Sequence, residues 1–139
     1  MNPHVSGITL GVRDFNRAKQ FYSEGLGWPI QEEQGEWVSF SLNNGTSALG
    51  LLPWDSLAGD AGVPADGSGF RGVTFSYIVR PGDHQRVDEV LAEAERAGGK
   101  IAKAVQAAAW GGYFGYFTDP DGYLWKVASG TVEQAIAAE

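Results

Sequence analysis

The sequence predicts an α+β protein built from two tandem βαβββ modules. Three observations predict it: a strand–turn–strand signature near the C-terminus, a strand–helix–three-strand progression near the N-terminus, and a return of the opening strand and helix after a Gly/Asp/Pro-rich stretch. The signature is GYFGYFTDPDGYLWKVA, Gly112 to Ala128. Asp119-Pro120-Asp121-Gly122 carries turn chemistry at every position, with proline presetting φ and glycine free to take a positive one. Aromatic and β-branched residues flank it, which suits a pleated, half-buried surface. Alternation sends Tyr113, Gly115 and Phe117 to one face and Phe114, Tyr116 and Thr118 to the other; after the turn, Tyr123, Trp125 and Val127 oppose Leu124, Lys126 and Ala128. A lysine in an otherwise apolar strand must reach water or be paired, which singles out Lys126.

The first module begins with Gly7-Ile8-Thr9-Leu10-Gly11-Val12, where Ile8, Leu10 and Val12 share a buried face. Asp14 is an N-cap for a helix carrying Phe15, Ala18, Phe21, Tyr22 and Leu26 at helical spacing, closed by Gly25 and Gly27. Phe21 and Tyr22 read as core aromatics. Trp28–Glu33, Trp37–Leu42 and Ala48–Leu52 read as short strands separated by Gln34-Gly35 and Asn43-Asn44-Gly45. Pro53 to Gly69 has no sustained period and reads as a linker.

After it, Gly72-Val73-Thr74-Phe75 answers Gly7-Ile8-Thr9-Leu10. A second helix follows with Val87, Val90, Leu91 and Ala94 on one stripe, ended by Gly98-Gly99; Lys100–Val105 is the next strand, and the hairpin supplies the last two. The expected organisation is a single domain over residues 1–139, with module one at about 5–54, the linker at about 53–69, module two at about 70–130 and a short C-terminal helix at about 131–138.

Composition narrows the function classes. The chain has 139 residues, 43% hydrophobic and 19% charged, as in an ordinary globular domain. The absence of cysteine removes disulfides, thiolate metal sites and a cysteine nucleophile. A formal charge of −7, with no basic stretch, speaks against nucleic acid as a partner. No apolar run reaches the length of a membrane span, and MNPHVSG lacks the regions of a signal peptide, so a cytoplasmic location is expected. No Gly-rich phosphate loop is present.

The hairpin, together with ITLGVRDFNRAKQFYSEGLGW at Ile8 to Trp28, resembles the vicinal oxygen chelate superfamily, which includes glyoxalase I, extradiol dioxygenases, fosfomycin-resistance thiol transferases and bleomycin-resistance proteins. The resemblance extends from about Gly7 to Ala128. It implies that the modules form a curved mixed sheet, with helices on the convex side and a concave ligand cup. It also implies a divalent metal held by His, Gln or Glu on the first and last strands of each module. The matching positions are Gly7, Gly50, Gly72 and Lys126, none of which can ligate a metal, so no metal and no cofactor is expected. The histidines, His4 and His84, fall before the first strand and at the start of the second helix.

Glycines at three of these positions leave room, and Lys126 places an ammonium beside it. That lysine has three readings: it binds a ligand's carboxylate or enolate, pairs with a neighbouring acid, or snorkels to solvent. Alternation lines the cup with Thr9, Trp37, Ser39, Thr74, Ser76, Phe114 and Tyr116, with Trp110 at the entrance to the hairpin and Trp54 near the linker. The candidate ligand-binding set is Thr9, Trp37, Ser39, Thr74, Ser76, Trp110, Phe114, Tyr116 and Lys126; Lys126 and Tyr116 are the catalytic candidates. Alternatively, the aromatics simply fill the cup as packed core. Two functions remain. One is a metal-free small-molecule-binding protein similar to the bleomycin-resistance group and, like it, a homodimer. The other is a divergent glyoxalase-like lyase, isomerase or dioxygenase-like enzyme acting through Lys126 and Tyr116.

Overall fold

The computed structural model describes residues 1, 3, 5–42, 48–67, 69–71, 73–108 and 111–130. Its α+β architecture comprises two compact units, Met1–Gly67 and Ser68–Glu139, each holding a four-stranded mixed sheet.

In the first unit β1 (Gly7–Val12) leads to α1 (Phe15–Gln20), which continues as a π-helical stretch, Phe21–Gly25. Asp14 caps α1 as expected, its Oδ1 accepting from the Arg17 amide at 3.1 Å. Next come β2 (Ile30–Gln34), β3 (Trp37–Ser41) and β4 (Ala48–Pro53). The sheet order is β1-β4-β3-β2, with β1 and β4 parallel and the other neighbours antiparallel. One sheet face sends Leu10, Val12, Val38, Phe40, Leu49 and Leu51 into the core with Phe15, Ala18, Phe21 and Tyr22. The Tyr22 ring meets Phe21, Trp28 and Phe40 at centroid distances of 4.9, 5.5 and 5.9 Å. Phe21 and Tyr22 are core aromatics.

The stretch read as a linker begins with a helix, α2 (Trp54–Ala61). Propensity and period gave no hint of it, because none of its residues is buried and no apolar stripe is needed. Tertiary contacts hold it instead. The Trp54 indole donates to the Ala65 carbonyl at 2.7 Å, and the Arg13 guanidinium lies 4.0 Å over the ring and donates to the Gly67 carbonyl at 3.3 Å. A methyl on Gly11 would touch Leu57 and Trp54, so α2 covers the end of the face that carries Thr9.

The second unit repeats the plan: β5 (Thr74–Val79), α3 (His84–Ala97), β6 (Lys100–Ala107), β7 (Tyr113–Thr118) and β8 (Leu124–Ser129), in the order β5-β8-β7-β6. The hairpin is formed as the sequence predicts. Asp119 Oδ1 accepts from the amides of Asp121 and Tyr123, each at 2.9 Å, and Gly122 takes φ +87. The stripe Val87, Leu91 and Ala94 packs on the face carrying Gly115, where an added methyl would stand 2.8 Å from Leu91 Cδ1 and 3.0 Å from the Lys103 carbonyl. Glycine is required there because helix and sheet meet at that point. Lys126 and Tyr116 therefore lie on the opposite face. The expected Asn43-Asn44-Gly45 turn and the helix at 131–138 lie outside the described residues.

Candidate functional site

The register defines one lateral row of residues in each unit. In the first, Gly50 on β4 has Thr9 on one side and Ser39 on the other, and Ser39 faces Glu32 of β2. In the second, Lys126 on β8 has Ser76 on one side and Tyr116 on the other, and Tyr116 faces Lys103 of β6. The rows correspond member by member. One irregularity coincides as well, since β2 shifts register between Ile30 and Glu32 and β6 between Ile101 and Lys103, while β6 alone shifts again between Lys103 and Gln106. Thr9 thus corresponds to Ser76, two residues later than the sequence match to Thr74 implied; Thr74 pairs with Leu124 instead. The offset is even, so the face is unchanged.

Each row has an aromatic two residues before its β3 or β7 member. In the first unit this is Trp37, whose indole lies over Gly50: a methyl there would stand 2.7 Å from Cζ3 and 3.3 Å from Cζ2. The room expected at Gly50 is therefore filled. A side chain from position 50 has nowhere to project while the indole stays. At Gly7 a methyl would meet only the Ala48 carbonyl, at an ordinary 3.5 Å.

In the second unit the corresponding aromatic is Phe114, which is 8% exposed. The Lys126 ammonium lies 4.9 Å from its ring centroid and 6.0 Å from that of Tyr116. Lys126 is only 2% exposed, more deeply buried than snorkelling allows. A desolvated cation over aromatic faces gains on the order of 2 kcal/mol. Ile78, Ala108 and Ala128 complete the apolar surround of Phe114.

The structure therefore gathers Ser76, Phe114, Tyr116 and Lys126 on one face of the second unit. It gathers Thr9, Trp37 and Ser39 around Gly50 in the first. Thr74 stands on the same face as Ser76, one pair along. Trp110, Gly72 and His4 lie outside the described residues. His84 is exposed at the start of α3, its ring stacked on Tyr113 at 4.4 Å. Sequence reasoning missed Lys103. Strict alternation groups it with Ile101, whose partner Phe117 faces the helix, but the bulge between them turns Lys103 to the face of Tyr116. The available signal was the spacing of Lys100 and Lys103: both can share a face only if a residue is bulged out.

The metal expected of the fold does not fit these residues. Position 50 is glycine under an indole, position 7 is glycine, and position 126 is an ammonium. Among the described residues no group of three or more His, Cys, Asp or Glu side chains gathers to hold an ion.

The family profile described as Glyoxalase/Bleomycin resistance protein/Dioxygenase superfamily matches residues 4–127. The chain belongs to this superfamily. A glyoxalase-related enzyme from Fulvimarina pelagi is similar to it at 29% identity and a TM-score of 0.83, over 93% of this chain and 89% of that one. A lactoylglutathione lyase from Agrobacterium tumefaciens shares the superfamily fold at 20% identity and a TM-score of 0.67, over 93% and 95%. A genomically encoded fosfomycin resistance protein from Listeria monocytogenes does so at 21% and 0.70, over 96% and 98%. No curated protein matches the chain by sequence.

Proposed function

We propose that the protein binds a small organic carboxylate without a metal, and that Lys126 is the residue that receives it. The observation that carries this reading is the burial of the Lys126 ammonium against Phe114 and Tyr116, at the position where the superfamily resemblance implies a metal ligand. A cation in a poorly solvated aromatic surround attracts an anion far more strongly than one in water. Tyr116, which is half-buried on the same face, carries a phenol that can donate to a carboxylate oxygen. Calorimetric titration of wild type with benzoate and with uncharged benzamide tests the reading. Benzoate binding that Lys126→Met abolishes supports it; equal binding of the two probes, or benzoate binding unchanged in Lys126→Met, overturns it.

A second reading rests on the similarity to the Fulvimarina pelagi enzyme. A divergent lyase, isomerase or dioxygenase-like activity would use Lys126 and Tyr116 as acid, base or electrophile. Turnover of a carboxylate substrate that is lost in both Lys126→Met and Tyr116→Phe would favour it over simple binding. We also propose a homodimer, because β2 is exposed along its whole length and β6 along most of it, and such edges are ordinarily covered. Light scattering that gives a mass near 14.9 kDa at micromolar concentration would overturn the dimer.

A further inference from the structure

Two cations converge on one ring in the second unit. The Lys103 ammonium lies 5.1 Å from the Phe114 centroid, and the Lys126 ammonium lies 4.9 Å from the same centroid. They belong to a single row, Lys103–Tyr116–Lys126, across β6, β7 and β8. Adjacent strands are about 4.8 Å apart, so the two backbones stand about 10 Å apart and both stems lean toward Phe114. Both ammonium groups therefore stand beside the same ring, one approaching from β6 and the other from β8.

The fold does not impose this arrangement. The corresponding row of the first unit carries Glu32 where Lys103 stands and glycine where Lys126 stands, on the same bulged framework. The bulge that turns Lys103 to this face belongs to the framework, but the lysine does not. The two lysines also differ in a useful way: Lys126 is buried, whereas Lys103 is exposed and makes no ion pair among the described residues.

We infer that Lys103 and Lys126 form a two-point site for a small dicarboxylate, with Lys126 holding one carboxylate beside Phe114 and Tyr116 and Lys103 closing on the second from the solvent side. This rests on the proposed binding role of Lys126 and extends it to the class of ligand. A ligand with two adjacent carboxylates meets both ammonium groups, while one with a single carboxylate leaves Lys103 unused. Because Lys103 is exposed, its contribution is screened and amounts to about fivefold in affinity.

The test compares benzoate with phthalate by calorimetry in wild type, Lys103→Gln, Lys103→Arg and Lys126→Met. Phthalate is expected to bind about fivefold more tightly than benzoate in wild type, with a steeper salt dependence. Lys103→Gln should remove that advantage while leaving benzoate unchanged, and Lys103→Arg should restore it. Lys126→Met should lose both ligands. Equal affinities for benzoate and phthalate in wild type, both lost in Lys126→Met, would overturn the two-point site and leave the Lys126 reading standing. Tighter phthalate binding that persists in Lys103→Gln would also overturn it. Absence of binding by either probe would overturn both.

Discussion

Replacing Gly50 by alanine tests whether the Trp37 indole occupies the space of the missing side chain. The added methyl would stand 2.7 Å from Cζ3 and 3.3 Å from Cζ2, whereas carbon atoms rest at about 3.5–4.0 Å. Either the sheet strains or the indole leaves its half-buried position. Overpacking of this kind costs about 1–3 kcal/mol, and exposing part of an indole costs an amount of similar order. Gly7→Ala is the internal control, since a methyl there meets only the Ala48 carbonyl at 3.5 Å, and it absorbs the general effect of alanine for glycine in a strand. Urea unfolding should show a midpoint lowered by about 0.5–1 M in Gly50→Ala and little changed or raised in Gly7→Ala. In a Trp37→Ala background, Gly50→Ala should be close to neutral, giving a coupling of about 1–3 kcal/mol in the double-mutant cycle. Gly50→Ala as stable as Gly7→Ala, with tryptophan emission unchanged, would refute the placement of the indole and reopen position 50 to a ligand.

Lys126→Met should fold and melt at or above the wild-type temperature, because replacing a buried charge with a similar apolar volume is often neutral or stabilising by about 1–4 kcal/mol; a large fall in the melting temperature would make Lys126 structural. Purified protein should hold no stoichiometric Zn, Ni, Fe or Mn, and elemental analysis finding one tightly held ion per chain would contradict the fit argued from Gly7, Gly50 and Lys126. Tyr113 should ionise above its ordinary value, chiefly because its hydroxyl donates to Asp88 Oδ1 at 2.9 Å, with burial and the carboxylate charge acting in the same sense. The bond therefore contributes fully below about pH 10 and is lost as pH rises through the raised value, so the stability difference between wild type and Tyr113→Phe should shrink in alkali. A difference independent of pH from neutrality to strong alkali would remove Asp88 as the cause.

The sequence by itself determined what depends on near neighbours in the chain. The Asp119–Gly122 turn, the Asp14 cap and the alternation around Lys126 are written in spacings of a few residues, and the structure forms each of them. That alternation was enough to put Lys126, Tyr116 and Phe114 on one face, since side-chain direction in a strand has a period of two. The same chemistry at matched positions was enough to identify the superfamily. Tertiary structure decided everything that depends on which residue of one strand lies beside which residue of another. The parallel register of β5 and β8 makes Ser76, not Thr74, the neighbour of Lys126, a choice set by hydrogen bonding between segments far apart in sequence. The Trp37 indole fills the space above Gly50 because its side chain reaches across from β3 to β4, and no local rule states where a large ring comes to rest. Helix α2 exists because Trp54, Arg13 and the Ala65 carbonyl hold it, with no apolar stripe to announce it. Lys103 joined the site through a bulge, which turns it to the face of Tyr116 before a second register shift restores the alternation by Gln106, and strict period-two reading of the strand passes over both shifts.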